Sequence, residues 1–264
     1  MNACRTSRMF LPAAMLAALC AAAAGQDKNE PSPDDPGFPA YVMKKVDDLH
    51  RGEKSHSTME MKIKTANWTR TLSLESWSLG EDYSLVRILS PKKEKGTATL
   101  KAKSDLFTYL SKTGKTIKIS SAMMGGSWMG SHFTNDDLVR NSRLSEDFTL
   151  KLILNGPDDT GTPAYRFRCV PHPDAPVVWG KIVVTVRQSD LQPLREGFYD
   201  EDGKKVRELV FSDHQEVEGR TLPMQMKIRP LDGSGEYTRV TIKAITFNVK
   251  LTKDFFSIQK LKSL

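Results

Sequence analysis

HSTMEMKIKTANWTRTLSLESW, residues 56–77, changes character at every second position. Met59, Met61 and Ile63 fall on one face, with Glu60, Lys62 and Lys64 on the other. Leu72 and Leu74 repeat the pattern, and Trp77 arrives out of phase with them. Successive side chains of an extended chain point to opposite sides, so this period marks strands with one buried face. Similar runs follow at 83–89, 98–103, 106–111, 116–119, 148–154, 164–170, 181–187, 193–199, 206–211, 222–229 and 238–249, most of them bounded by turn signals such as NGPDDTG, DEDG and LDGSG. About a dozen near-consecutive strands read as mainly β, antiparallel neighbours in a sheet large enough to curl or split into two layers. One short amphipathic helix, residues 40–50, precedes them, with Tyr41, Val42, Val46 and Leu49 as its apolar stripe. The last residues, 253–264, suit a final turn or short helix.

The run is interrupted once, by SSAMMGGSWMGSHFTNDDLV at 120–139. Large apolar residues stand there among three glycines, Gly125, Gly126 and Gly130, too broken for a helix and too glycine-rich for a strand. Its end is better signalled: Thr134 suits a helix N-cap, with Asp137 at the capping-box position and Asp136 in the first turn. Several inward positions are methionine, namely Met59, Met61, Met224 and Met226. Methionine fills irregular cores, and it also lines surfaces that repack around variable apolar ligands; both readings stay open at this point.

The ends and the composition bound the rest. Arg5 and Arg8 precede an apolar run from Phe10 to Ala24, which reads as a signal peptide over 1–25, cleaved near residues 24–26. Leu19 before Cys20 argues against a lipoprotein form. Residues 26–39 are polar and proline-rich and suit a flexible leader, leaving 40–264 as a single domain. Loss of the signal would leave Cys169 as the lone cysteine, so a packed core rather than disulfides must supply stability. The formal charge of +7 would fall by two, to +5, with lysines dispersed along the chain. That excess suits transient contact with a membrane surface, while no basic patch interleaved with aromatics supports nucleic-acid binding.

Catalytic sets are hard to find. Met129 stands where a G-x-S-x-G elbow around Ser127 would need its second glycine, and no nucleotide-binding glycine motif occurs. His50, Glu53 and His56 do not share one helical face, so no metal ligand set is expected, and no cofactor. Cys169, in AYRFRCV, reads as buried rather than reactive, and Asp47–Asp48, Asp136–Asp137 and Asp158–Asp159 each have a sufficient structural role.

Together, VDDLHRG at 46–52, HSTMEMKIK at 56–64 and the 120–139 stretch resemble the outer-membrane lipoprotein-sorting (LolA-like) family of periplasmic carriers. The resemblance implies a large curved antiparallel sheet forming a half-open β-barrel, with short helices across its mouth. It implies an apolar cavity and lid made from Met59, Met61, Leu72, Leu74, Trp77, Leu85, Met123, Met124, Trp128, Met129, Phe133, Met224 and Met226. It further implies a lipid or acylated lipoprotein as cargo, an inner-membrane permease of the resistance-nodulation-division (RND) type as partner, and the periplasm as location. Arg70 and Arg87 are the two candidates for the family's cavity arginine. Two other classes stay open: an envelope interaction protein without cargo, and a hydrolase using Ser127, His132 and Asp136 or Asp137.

Overall fold

The alternation at 56–77 is a hairpin between β1 (Lys54–Lys64) and β2 (Thr69–Leu79), in which Met59 faces Leu74 and Met61 faces Leu72. The computed structural model describes residues 30–49, 54–80, 82–139, 144–173, 175 and 177–263. The signal-peptide reading therefore lies outside the described residues, as do His50 and Glu53. Along the chain follow β3 (Tyr83–Ser90), β4 (Ala98–Ala102), β5 (Asp105–Leu110) and β6 (Lys115–Lys118). After the interruption come β7 (Phe148–Pro157), β8 (Pro163–Pro171), β9 (Lys181–Arg187), β10 (Pro193–Tyr199), β11 (Lys205–Val217), β12 (Arg220–Pro230) and β13 (Tyr237–Phe247).

All thirteen described strands join one antiparallel sheet in the order β6-β5-β4-β3-β2-β1-β13-β12-β11-β10-β9-β8-β7. The first and last strands pair in its middle, and β6 and β7, consecutive in sequence, form its two edges. The sheet does not close. It does curl: β4 and β10 stand seven places apart, roughly 34 Å if flat, yet Lys101 of β4 and Glu196 of β10 line the same cavity. The chain between β6 and β7 must then travel from one edge to the other. The glycine-rich stretch is that crossing.

Four α-helices and three short 3-10 turns, Ser121–Met123, Trp128–Gly130 and Lys253–Phe255, complete the fold among the described residues. α1 (Phe38–Asp48) starts two residues earlier than the periodicity suggested, since Pro39 is tolerated in a first turn where no N–H partner is needed. It buries Phe38, Val42 and Met43 against Phe148, Phe167, Val184, Phe198 and Phe211, filling the β7–β12 half of the inner face. α2 (Asn135–Val139) and α3 (Leu144–Asp147) belong to the crossing. Asp47, outside the apolar stripe of α1, turns inward: its carboxylate accepts from the Ser145 N–H (3.1 Å) and hydroxyl (2.9 Å), capping α3.

α4 (Ile258–Ser263) covers the opposite face of the sheet, and this corrects two of the expected cavity residues. Trp77 is odd in phase with Leu72 and Leu74, and Leu85 is its partner on β3, so both point away from the interior. They pack with Tyr83, Leu100, Phe255, Phe256 and Leu261 beneath α4. Trp77 also stacks on His56, which binds Glu75 at 2.9 Å, while Arg87 grips the other Glu75 oxygen at 2.7 Å. Arg87 is thereby an outer-face residue.

In the β7–β8 turn, the buried Asp158 accepts from the Thr160 hydroxyl (2.6 Å) and pairs with Arg195 (2.9 Å). Burial pushes its carboxyl up, but the Thr160 and Thr162 donors and Arg195 outweigh this and hold it below the ordinary value. A depressed folded pKa contributes stability that is complete above the unfolded value, about 3.9, and is lost as the pH falls through the folded one. Asp158→Asn is accordingly expected to cost about 1–3 kcal/mol at pH 7, with the deficit shrinking below pH 4. Urea unfolding at pH 7 and pH 3 measures both.

Candidate functional site: a cavity beneath the crossing segment

The crossing segment is a compact, self-bonded unit. The Trp128 N–H donates to the Phe133 carbonyl (2.8 Å), Asn135 N–H to Gly126 (2.9 Å) and Asn135 Nδ2 to Met123 (3.0 Å). A side chain on Gly126 would meet the Met123 carbonyl at 3.0 Å, and Gly130 sits at φ 69°, so these two glycines answer to local geometry. The capping box forms as expected: the Asp137 N–H donates to Thr134 Oγ1 (3.2 Å) and the Thr134 N–H to Asp137 Oδ2 (2.8 Å). Removing the Thr134 hydroxyl in Thr134→Ala should cost about 1 kcal/mol of stability, read from thermal unfolding.

Four strands spread across the sheet hold this segment down. Trp128 Nε1–H donates to Thr99 Oγ1 of β4 (3.1 Å). Arg70 of β2 donates to the Met129 carbonyl and, through its other terminal nitrogen, to Glu94 (2.7 Å). The His132 main-chain N–H donates to Thr238 Oγ1 of β13 (3.0 Å), its Nδ1 lies 2.9 Å from the same hydroxyl, and its Nε2 lies 3.1 Å from Glu236. Arg207 of β11 clasps Asp137 with both ends of its fork, at 2.9 and 2.6 Å. The Arg207 guanidinium also lies against two neighbouring rings, Trp179 and Phe198, 4.4 and 4.2 Å from their centres.

Beneath the segment lies a cavity of about 380 Å³. Its apolar wall includes Met59, Leu74, Trp128, Phe133 and Met226, all named from the sequence. The sequence reading missed Val86, Val240, Leu209, Phe211 and Ile228, which share inward parity with those methionines across paired strands. It also missed charged groups on the wall: Asp47, Lys101, Asp137, Glu196 and Arg207, of which Glu196 is 2% exposed. Arg207 was within reach, because it alternates with Leu209 and Phe211 on β11.

The other expected site residues are dispersed. Met61 and Leu72 are fully buried under Trp128 and pack as core, and Met224 packs with Leu222, Ile242 and Phe247. Met124 packs on Leu106 and Ile119. Met123, 44% exposed, and Met129 line a second cavity of about 520 Å³ between the segment and β3–β6. Among the described residues, Trp128 is the one that lines both cavities.

The residues of the hydrolase reading do not converge. The Ser127 hydroxyl donates to the Ser131 carbonyl, His132 engages Thr238 and Glu236, and Asp137 engages Arg207. Cys169 is fully buried, and burial pushes its thiol well above the ordinary range. No group of three or more potential metal ligands occurs among the described residues, and no described helix is long and apolar enough to cross a membrane.

Comparison with known proteins finds many similar structures, three of them as follows. A domain from Vibrio parahaemolyticus, provisionally named an outer membrane lipoprotein-sorting protein, superposes with a TM-score of 0.74 at 23% identity, covering 85% of this chain and 98% of that one. A DUF1329 family protein from Desulfovibrio piger gives 0.76 at 22% identity, covering 84% and 97%. A LolA superfamily protein from Nitrosomonas europaea gives 0.70 at 18% identity, covering 84% and 98%. The fold is therefore LolA-like. A family model described as "Uncharacterized protein" matches residues 80–263. No curated protein matches.

Proposed function

The chain belongs to the family of that model, matched over residues 80–263, and on its LolA-like fold and half-covered apolar cavity we propose that it carries a lipid or lipid-modified cargo. The observation that carries the reading is the cavity itself. A chain crossing the mouth of an open, curled sheet cannot fill the interior, so Met59, Leu74, Val86, Phe211 and Met226 face a void. An apolar void accepts apolar guests, and each buried methylene contributes roughly 0.8 kcal/mol before the cost of association. Trp128 and Phe133 cover the guest. Residues 40–264 act as one unit in the periplasm after removal of 1–25, touch membranes transiently, and exchange cargo with an RND-type permease of the inner membrane.

One observation favours the second reading, an envelope interaction protein without cargo. The crossing segment is pinned at four strands, and Met61 and Leu72 already pack under Trp128 as ordinary core. Met226→Trp separates the two. Met226 touches three of the core clusters and borders the void, so an indole there fills it. Titration with dodecyl maltoside, followed by native mass spectrometry, should show binding to the wild type and a loss of about tenfold or more in the variant. Equal binding, or none to either, would favour the interaction protein.

A further inference from the structure

The second cavity differs from the first in its charge. Among the described residues its wall carries three cations, Arg70, Lys93 and Lys112, against one carboxylate, Glu94, which Arg70 already pairs at 2.7 Å. The first cavity carries two cations, Lys101 and Arg207, against three carboxylates. Lys93 and Lys112 are solvent-exposed, in the connections after β3 and β5. Arg70 Nε and Glu94 Oε2, on two residues of the wall, are both buried and each lacks a hydrogen-bond partner among the described residues. Behind this cationic rim lies an apolar floor of Ile88, Ile119, Met129 and Trp128. Thr97, Thr108 and Thr113 add hydroxyls between the two.

We propose that this second cavity is a binding site for an anionic amphiphile, a lipid carrying a phosphate, with the phosphate held by Lys93, Lys112 and Arg70 and the start of its chain on the Ile88–Ile119–Met129 floor. It rests on the carrier reading in taking the ligand to be a lipid. Two lysines and an arginine around an apolar depression suit a charged head with a short apolar continuation. A neutral head would gain nothing from the charges of Lys93 and Lys112.

The test compares dodecyl phosphate, dodecyl maltoside and inorganic phosphate on the full chain. The wild type should bind dodecyl phosphate about tenfold more tightly than the maltoside, and the preference should weaken as salt rises. The double substitution Lys93→Glu/Lys112→Glu, at exposed positions, should abolish that preference and leave maltoside binding unchanged. Met226→Trp should remove maltoside binding and retain dodecyl phosphate binding. If the lysine variant keeps the preference, or the wild type shows none, the second site falls and the carrier reading stands. Inorganic phosphate that displaces dodecyl phosphate at equal concentration would make this a free-phosphate site and overturn the lipid assignment. Binding of neither amphiphile would overturn both readings.

Discussion

Arg207→Ala is expected to destabilise the protein by about 3–5 kcal/mol, the usual cost of removing one partner of a buried ion pair. Arg207 and Asp137 are each about nine-tenths buried and joined by two parallel bonds. Without the guanidinium, the Asp137 carboxylate faces the interior with its strongest partner gone, and Trp179 and Phe198 lose the cation packed against them. For a chain of this size the midpoint of thermal unfolding should fall by roughly 10 °C. Arg207→Lys should recover only part of the loss, since an ammonium cannot reproduce the two-pronged contact. Replacing both partners with apolar residues, Arg207→Met with Asp137→Leu, should cost less than Arg207→Ala alone. The clasp also ties α2 to the far half of the sheet, so amide exchange in residues 126–138 should quicken in Arg207→Ala. A variant within 1 kcal/mol of the wild type and with unchanged exchange would show that Asp137 acts only as a helix cap.

Trp128→Ala should cost a similar amount, about 3–5 kcal/mol, for a different reason. The indole is 6% exposed and packs on Met61, Ile63, Leu72 and Leu74. Its removal leaves a hole where its ring stood and strands the buried Thr99 hydroxyl. Because Trp128 divides the two cavities, the variant should also join them. It should take up bulkier apolar probes than the wild type despite its lower stability. Trp128→Phe isolates the hydrogen bond and should lose about 1–3 kcal/mol. Chemical denaturation of the three proteins gives the stability differences, and probe uptake by native mass spectrometry tests the partition. A destabilised Trp128→Ala protein with unchanged probe capacity would mean that the walls collapse into the hole.

Much of this was legible in the residues. The two-residue period marked the strand ends to within three positions, except that β11 runs six residues past its expected end at 211, because a half-buried antiparallel sheet enforces alternation on every strand it contains. The box at Thr134 and Asp137 was legible because it is local, two residues three positions apart binding one another. What was hidden depended on pairing. Trp77 and Leu85 look like their apolar neighbours until register sends them to the face under α4. Met61 and Met59 are two residues apart on one face, yet one is sealed under Trp128 and the other borders the void. No spacing rule separates them, since the difference lies in where a segment sixty residues away comes down. Asp47 looked like a solvated helix residue because the short helix it caps lies almost a hundred residues later. Arg70, one of two candidate arginines, reaches the crossing segment at Met129, while Arg87 serves the outer face.

The central claim is that the space beneath the crossing segment holds a guest. The most direct measurement is organic extraction of the chain, purified without detergent from cells that make it naturally, followed by lipid mass spectrometry. The carrier account predicts a reproducible chain-bearing lipid, near one per protein, that is absent from Met226→Trp prepared in parallel. A wild-type protein that yields no lipid, and whose crystal structure shows side chains filling the space among Met59, Leu74, Phe211 and Met226, would contradict it.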